Sequence, residues 1–158
     1  MKSIRLLAAL FVGLSGYFAV AHEAGAPLTA EQKNYLALYE PIRAALAADD
    51  LPAAKKAATA LAAAPQEKAA NEAETKRLAT NLAASKKLAG SSSLSEARDA
   101  FKIVSRKASH LAEGLSGYHR FLCPHIPNDE GKWVQTLSTP SNPYEGKANP
   151  KCGNKLTD

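Results

Sequence analysis

From Gly114 onward, no more than eight residues ever separate one glycine or proline from the next, in a series running Gly114, Gly117, Pro124, Pro127, Gly131, Pro140, Pro143, Gly146, Pro150, Gly153. Proline removes a backbone donor and fixes φ, and glycine favours turns, so no long helix fits after this point. The preceding stretch obeys the opposite grammar, being alanine-rich with charged residues at helical spacing. The chain must therefore join a helical body to a tail that folds by other means. Within that tail Tyr118 to Cys123 and Trp133 to Leu137 read as short strands.

In the body, Thr29-Ala30-Glu31-Gln32 is a capping box that opens a helix, and Tyr35, Leu36, Tyr39, Ile42 and Leu46 follow it at helical steps. Asp49-Asp50 interrupts this stripe. An Asp N-cap with Leu51-Pro52 in the first turn starts a second helix, whose inner face is Leu51, Ala54, Ala58 and Leu61. Pro65 is read as the start of a third, with Leu78 and Leu82 inside and Gly90 at its end. Ser93-Leu94-Ser95-Glu96 is a second capping box, and Leu94, Ala97, Phe101, Val104, Ala108, Leu111 and Leu115 make the strongest stripe. The expected fold class is all-α: an antiparallel four-helix bundle over 30–48, 51–63, 65–89 and 94–115. An irregular Cys/Pro/Gly-rich C-terminal tail (116–158) is expected to pack on it. Alanine on the contact faces buries little area, so the bundle's core is thin.

Residues 1–21 have the layout of a secretory signal: basic Lys2 and Arg5, an apolar stretch from Leu6 to Val20, and small Ala19 and Ala21 before the cut. The apolar run is broken by Gly13, Ser15 and Gly16 and is short for a membrane span. Cleavage leaves a single domain over 22–158 in a periplasmic or otherwise exported compartment, with no membrane attachment. The formal charge of +5 falls to +3 when Lys2 and Arg5 leave, and the remaining charges are interspersed. Nucleic-acid binding would need a basic face with stacking aromatics, and neither is present.

Both cysteines lie in the tail, Cys123 next to Pro124-His125 and Cys152 next to Gly153. In an extended segment the side chains of Cys123 and His125 leave on the same side of the backbone, which suits two ligands of one metal. With Cys152 they offer two sulfurs and an imidazole, a set that copper(I) and zinc accept, while calcium and magnesium want oxygens. His119 is the candidate for a fourth position. His110 is a remoter candidate, and so is His22, whose amino group and ring would chelate copper at a mature N-terminus. The alternative is a plain disulfide between Cys123 and Cys152, worth about 3–4 kcal/mol on the chain-entropy model. Trp133 and Tyr144 are read as apolar lids that pack the tail on the bundle. No Gly-x-Ser-x-Gly, His-Glu-x-x-His, Glu-x-x-His or Cys-x-x-Cys-His pattern occurs, so no enzyme is expected.

Phe101-x-x-x-Ser105, Cys123-Pro124, Gly131-x-Trp133-x-Gln135, Asn142-Pro143-Tyr144-x-Gly146 and Cys152-Gly153 together resemble a bacterial exported domain of formally unknown function. That domain occurs alone and fused to the periplasmic adaptors of copper and silver efflux pumps. Tyr35-Leu-Ala-Leu-Tyr39 and Ala48-Asp-Asp-Leu-Pro-Ala-Ala-Lys-Lys56 are similar to its first helical corner. The resemblance implies binding of monovalent copper or silver through cysteine and methionine sulfur. Here the two methionine places hold His125 and Asn149, so His125 stands as a changed ligand and Asn149 as a loss. The expectation is a periplasmic metal-binding protein, copper first and zinc second, acting in buffering, delivery or efflux, with an efflux adaptor as its protein partner. The alternative is a metal-free, disulfide-stapled helical module that docks another protein.

Overall fold

The computed structural model describes residues 27–157. The expected signal at 1–21 and the candidate His22 lie outside the described residues. Four helices come first: α1 (Ala30–Ala47), α2 (Leu51–Ala63), α3 (Glu72–Ala89) and α4 (Leu94–Leu111). Each packs on the next in sequence, and α4 closes on α1. Three of the four expected starts hold to the residue, because each has a side-chain acceptor for the orphan N–H groups of the first turn. Thr29 and Gln32 form the full capping box, Asp50 Oδ1 accepts from Ala53 N at 2.9 Å, and Ser93 Oγ accepts from Glu96 N at 3.2 Å.

The third helix begins seven residues later than expected. Pro65 suits a first turn, but Ala64 before it has no acceptor to cap one. Asn71 does, its Oδ1 taking Glu74 N at 2.9 Å while Glu74 reaches back to Ala70 N. The skipped segment is held instead by Glu67, which accepts from Gln32 Nε2 and pairs with Lys107 at 2.6 Å. The buried face of α3 is also turned from expectation: Asn81, Ala84, Ser85 and Leu88 are inside, with Leu78 and Leu82 half-buried. Asn81 sits there because its amide donates to the Tyr35 hydroxyl at 3.0 Å, which in turn donates to Val104 O. The fourth helix stops at Leu111, short of the expected 115, as Gly114 takes a left-handed φ of 70°.

The fold is mostly helical but not all-α. The tail carries a three-stranded antiparallel sheet, β1 (His119–Leu122), β2 (Lys132–Gln135) and β3 (Asn154–Lys155), with β1 in the centre. The two expected strands are β1 and β2. The third is too short to announce itself by alternation. Nor is the tail laid on a finished bundle: Phe121, Trp133, Val134 and Tyr144 belong to the same buried cluster as the helix stripes. Rings run continuously from body to tail, Tyr39 stacked on Phe101 at 5.5 Å, Phe101 against Tyr144 at 5.7 Å, Tyr144 against Trp133 at 6.2 Å, and Trp133 on Phe121 at 5.3 Å. Trp133 is fully buried and Tyr144 nearly so, as expected of packing lids. The tail thus adds Phe121, Trp133, Val134 and Tyr144 to a core that the helices begin with Tyr39, Ile42, Leu46 and Phe101.

Polar bonds close the same seam. Ser105 Oγ donates to Lys132 O at 2.7 Å, Tyr39 Oη receives Val134 N at 3.3 Å, and Tyr144 Oη donates to Lys132 O at 2.7 Å. Burial holds the Tyr144 phenol well above its ordinary pKa, so it remains a donor.

Candidate metal centre

Cys123 lies one residue past β1, and its N–H continues the ladder to Gly131 O at 3.0 Å. Pro124 then turns the chain: Ile126 N donates to Cys123 O at 3.3 Å, so Cys123 to Ile126 is a β-turn with proline at its second position. This corrects the extended geometry expected for Cys-Pro-His. The turn, rather than strand alternation, brings His125 back beside Cys123. Gly131 passes beneath, where a Cβ would press on the Cys123 carbonyl oxygen at 3.0 Å and its Cβ at 3.1 Å.

Cys152 arrives on the other edge of β1. Leu122 pairs with Asn154, so the same antiparallel register continued puts Gly153 opposite Cys123 and Cys152 opposite the Pro124 turn. Glycine is required at 153 because its backbone lies on the Trp133 indole, where any side chain would strike the ring. The two sulfurs are not bonded to each other, and both cysteines are free.

The third arm is the loop from Asn142 to Cys152. Its organiser is Asn142, fully buried, whose Oδ1 accepts Tyr144 N at 2.8 Å and Glu145 N at 3.2 Å. The amide Nδ2 donates to Cys152 O at 2.8 Å and to Cys123 Sγ at 3.4 Å. A single side chain thus ties both cysteines to the backbone of Glu145. The loop is anchored to the helices by Arg98, which donates to Pro143 O at 2.9 Å, to Leu46 O at 3.1 Å and to the Asp49 carboxylate. Asp49 also accepts Lys147 N at 3.1 Å, and the guanidinium holds its carboxyl below the usual range. Gly146, at a φ of 55°, leaves room for this pair, since a Cβ there would collide with both Asp49 and Arg98. Buried Arg43 adds a bond to Ser141 O at 3.0 Å from α1.

These arms converge on Cys123, His125, Glu145 and Cys152, which offer one ligand atom each, all within 4.8 Å of one another. His125 Nδ1 lies 2.8 Å from Glu145 Oε1 and 3.8 Å from Cys152 Sγ. Glu145 Oε2 is buried with no hydrogen-bond partner. The Cys152 thiol is pushed up by burial first, then by the neighbouring Cys123 and Glu145, so the group is one that a cation would relax. Cys123 is fully buried while the His125 side chain is 57% exposed, so the cluster opens to solvent on the imidazole side.

Three of the four principal candidates are brought together, and His119 is not among them. It starts β1 opposite Gln135, four residues before Cys123, about 13 Å away along an extended chain. His110, on the last turn of α4 and near Glu113, is likewise outside the group. Asn149 contributes its backbone carbonyl, which accepts Cys152 N. The residue that the sequence did not single out is Glu145. It stands in the motif between Tyr144 and Gly146, and a carboxylate next to that obligatory glycine turn was the available signal. No protein-family model, curated protein or solved structure matches the chain.

Proposed function

We propose that this protein binds one thiophilic transition-metal ion through its tail and serves in metal buffering or delivery in an exported compartment. The observation that carries the reading is the convergence of Cys123, His125, Glu145 and Cys152, from three separate arms, to within 4.8 Å. Two sulfurs exclude the hard cations, and an imidazole beside them suits copper and zinc. One open side, at His125, suits an ion that is passed on rather than one sealed in for structure. Exchange with an efflux adaptor follows from the resemblance carried by the tail motif, whose Cys123, Asn142 and Cys152 stand in this cluster or directly behind it. Among the described residues no helix is long and apolar enough to cross a membrane.

The rival reading, a disulfide-stapled module that takes no metal and docks another protein, rests on the same nearness of Cys123 and Cys152. Titration of the reduced full chain under anaerobic conditions, followed by native mass spectrometry, separates the two. One ion per chain is expected, and Cys152→Ala should lose it. Retained binding in Cys152→Ala together with loss on removing His22 would move the site to the N-terminus. A parent that takes up no metal and reoxidises to an internal disulfide establishes the rival.

A further inference from the structure

Building on the metal-binding reading, we propose that the ion is divalent and four-coordinate, of the zinc class, and that Glu145 is the ligand that selects it. Copper(I) is satisfied by sulfur and imidazole and gains nothing from a carboxylate. Zinc takes thiolate, imidazole and carboxylate together in one tetrahedron. The sequence offered only the first kind of set, and Glu145 changes it.

The placement of that carboxylate is specific. Its backbone N–H is fixed by Asn142 Oδ1 at 3.2 Å, and the side chain turns inward to the two sulfurs, away from solvent, with only 23% of it exposed. Oε1 takes His125 Nδ1, and Oε2 is buried with no protein partner. A carboxylate held beside two cysteines favours a cation placed among them. With both cysteines and Glu145 ionised, the group carries three negative charges; a divalent ion leaves one and a monovalent ion leaves two, so the lower-charged complex belongs to the divalent ion.

Geometry agrees. Zinc's bond lengths put tetrahedral donors about 3.3–3.8 Å apart. The separations here are 2.8 Å for His125 to Glu145 and 3.8 Å for His125 to Cys152, with 4.8 Å the upper bound for any pair. Closing on an ion spreads the first pair and draws in the widest, by about 1 Å or less. His125 turns from bonding the carboxylate through Nδ1 to bonding the metal through it. Asn142 stands behind as a positioning residue, its amide on Cys123 Sγ and its carbonyl oxygen on the Glu145 arm.

The test uses the reduced full chain with zinc, cobalt(II) as its spectroscopic stand-in, and copper(I) against a competing chelator. One cobalt per chain is expected, with thiolate charge-transfer absorption and the intense visible bands of a tetrahedral ion. Glu145→Gln should weaken zinc at least about tenfold while copper(I) affinity stays within about twofold, the unchanged copper value showing that the site is still assembled. X-ray absorption on the zinc-loaded parent gives a check independent of any variant: two sulfur and two nitrogen or oxygen neighbours. Equal zinc affinity in parent and Glu145→Gln, or a parent that takes copper(I) but not zinc, overturns the assignment and leaves metal binding standing. Uptake of neither ion overturns both.

Discussion

Phe101 and Trp133 are both fully buried and belong to one chain of stacked rings, yet they reach it by different routes. Phe101 is placed by its own helix: the Ser93 cap sets the start of α4, and helical spacing carries Phe101 to the inner face with Ala97, Val104 and Ala108. Trp133 is placed by its neighbours, by Phe121 across the β1–β2 register, by Gly153 yielding to its ring, and by Tyr144 at its edge. Locally determined helices supply the scaffold, and alanines such as Ala54, Ala58, Ala97 and Ala108 take many of the buried places between its larger side chains. The non-locally determined tail supplies bulk. Body and tail share one core, so the stability of the helices should depend on the tail.

That dependence gives the largest expected effect. Trp133→Ala should cost about 3–5 kcal/mol, and the loss should appear in the helices as one cooperative urea transition at a lower midpoint, followed by far-ultraviolet circular dichroism. Helical signal that melts at the parent's midpoint would mean that the bundle stands alone and the tail is an attachment.

A smaller effect tests the rivet between the two regions. Arg98→Met removes the donors to Pro143 O, Leu46 O and Asp49, a loss of about 1.5–3 kcal/mol for a charged, part-buried donor set. It should weaken metal binding as well, since Pro143 and Glu145 share one loop. Unchanged metal affinity would show that Asn142 holds the loop without help. The Asp49 half of the rivet has a pH signature. Its carboxyl is lowered by Arg98 in the folded state, so its contribution is complete above the unfolded carboxylate value of about 3.9 and disappears as pH falls through the folded value. The stability gap between parent and Asp49→Asn should therefore be constant near neutrality and close in acid. A gap that persists at the lowest pH would assign the effect to shape rather than charge.

The two regions also differ in how far the sequence reveals them. Helix starts at Thr29, Asp50 and Ser93 were legible because a cap is a short-range event, one side chain answering N–H groups two or three residues on. The start at Asn71 was obscured by Pro65, a valid first-turn residue with no cap before it. In the tail, Cys123, His125 and Cys152 were legible as chemistry because few residue types hold soft metals. Their geometry was not, for it depends on a turn at Pro124, a strand of two residues at Asn154–Lys155 and a loop pinned by Asn142. Glu145 was illegible because a carboxylate becomes a ligand only through what surrounds it. Asp49 shows the same from the body's side: beside a capping Asp50 it looked like a helix breaker, and it proves to be the tail's anchor on the α1–α2 corner.

The smallest expected effect lies wholly in the body and marks the limit of its coupling to the tail. Asn71→Ala removes the cap of α3, the helix that makes no side-chain contact among those fixing Glu145, Cys123 or Cys152. It should cost about 1 kcal/mol, from two unanswered N–H groups at the helix start, Glu74's own and that of Ala70, whose bond to Glu74 depends on the same turn. Because the rivet at Arg98 and Asp49 joins the tail to α1 and α4, zinc affinity in this variant should match the parent's. A drop in affinity with so small a loss of stability would mean that α3 transmits strain to the site through the Asn81–Tyr35 bond. In that case the body would do more than hold the tail up, since the hydroxyl of Tyr35 bonds Val104 O, one residue from the Ser105 side chain that carries Lys132 O.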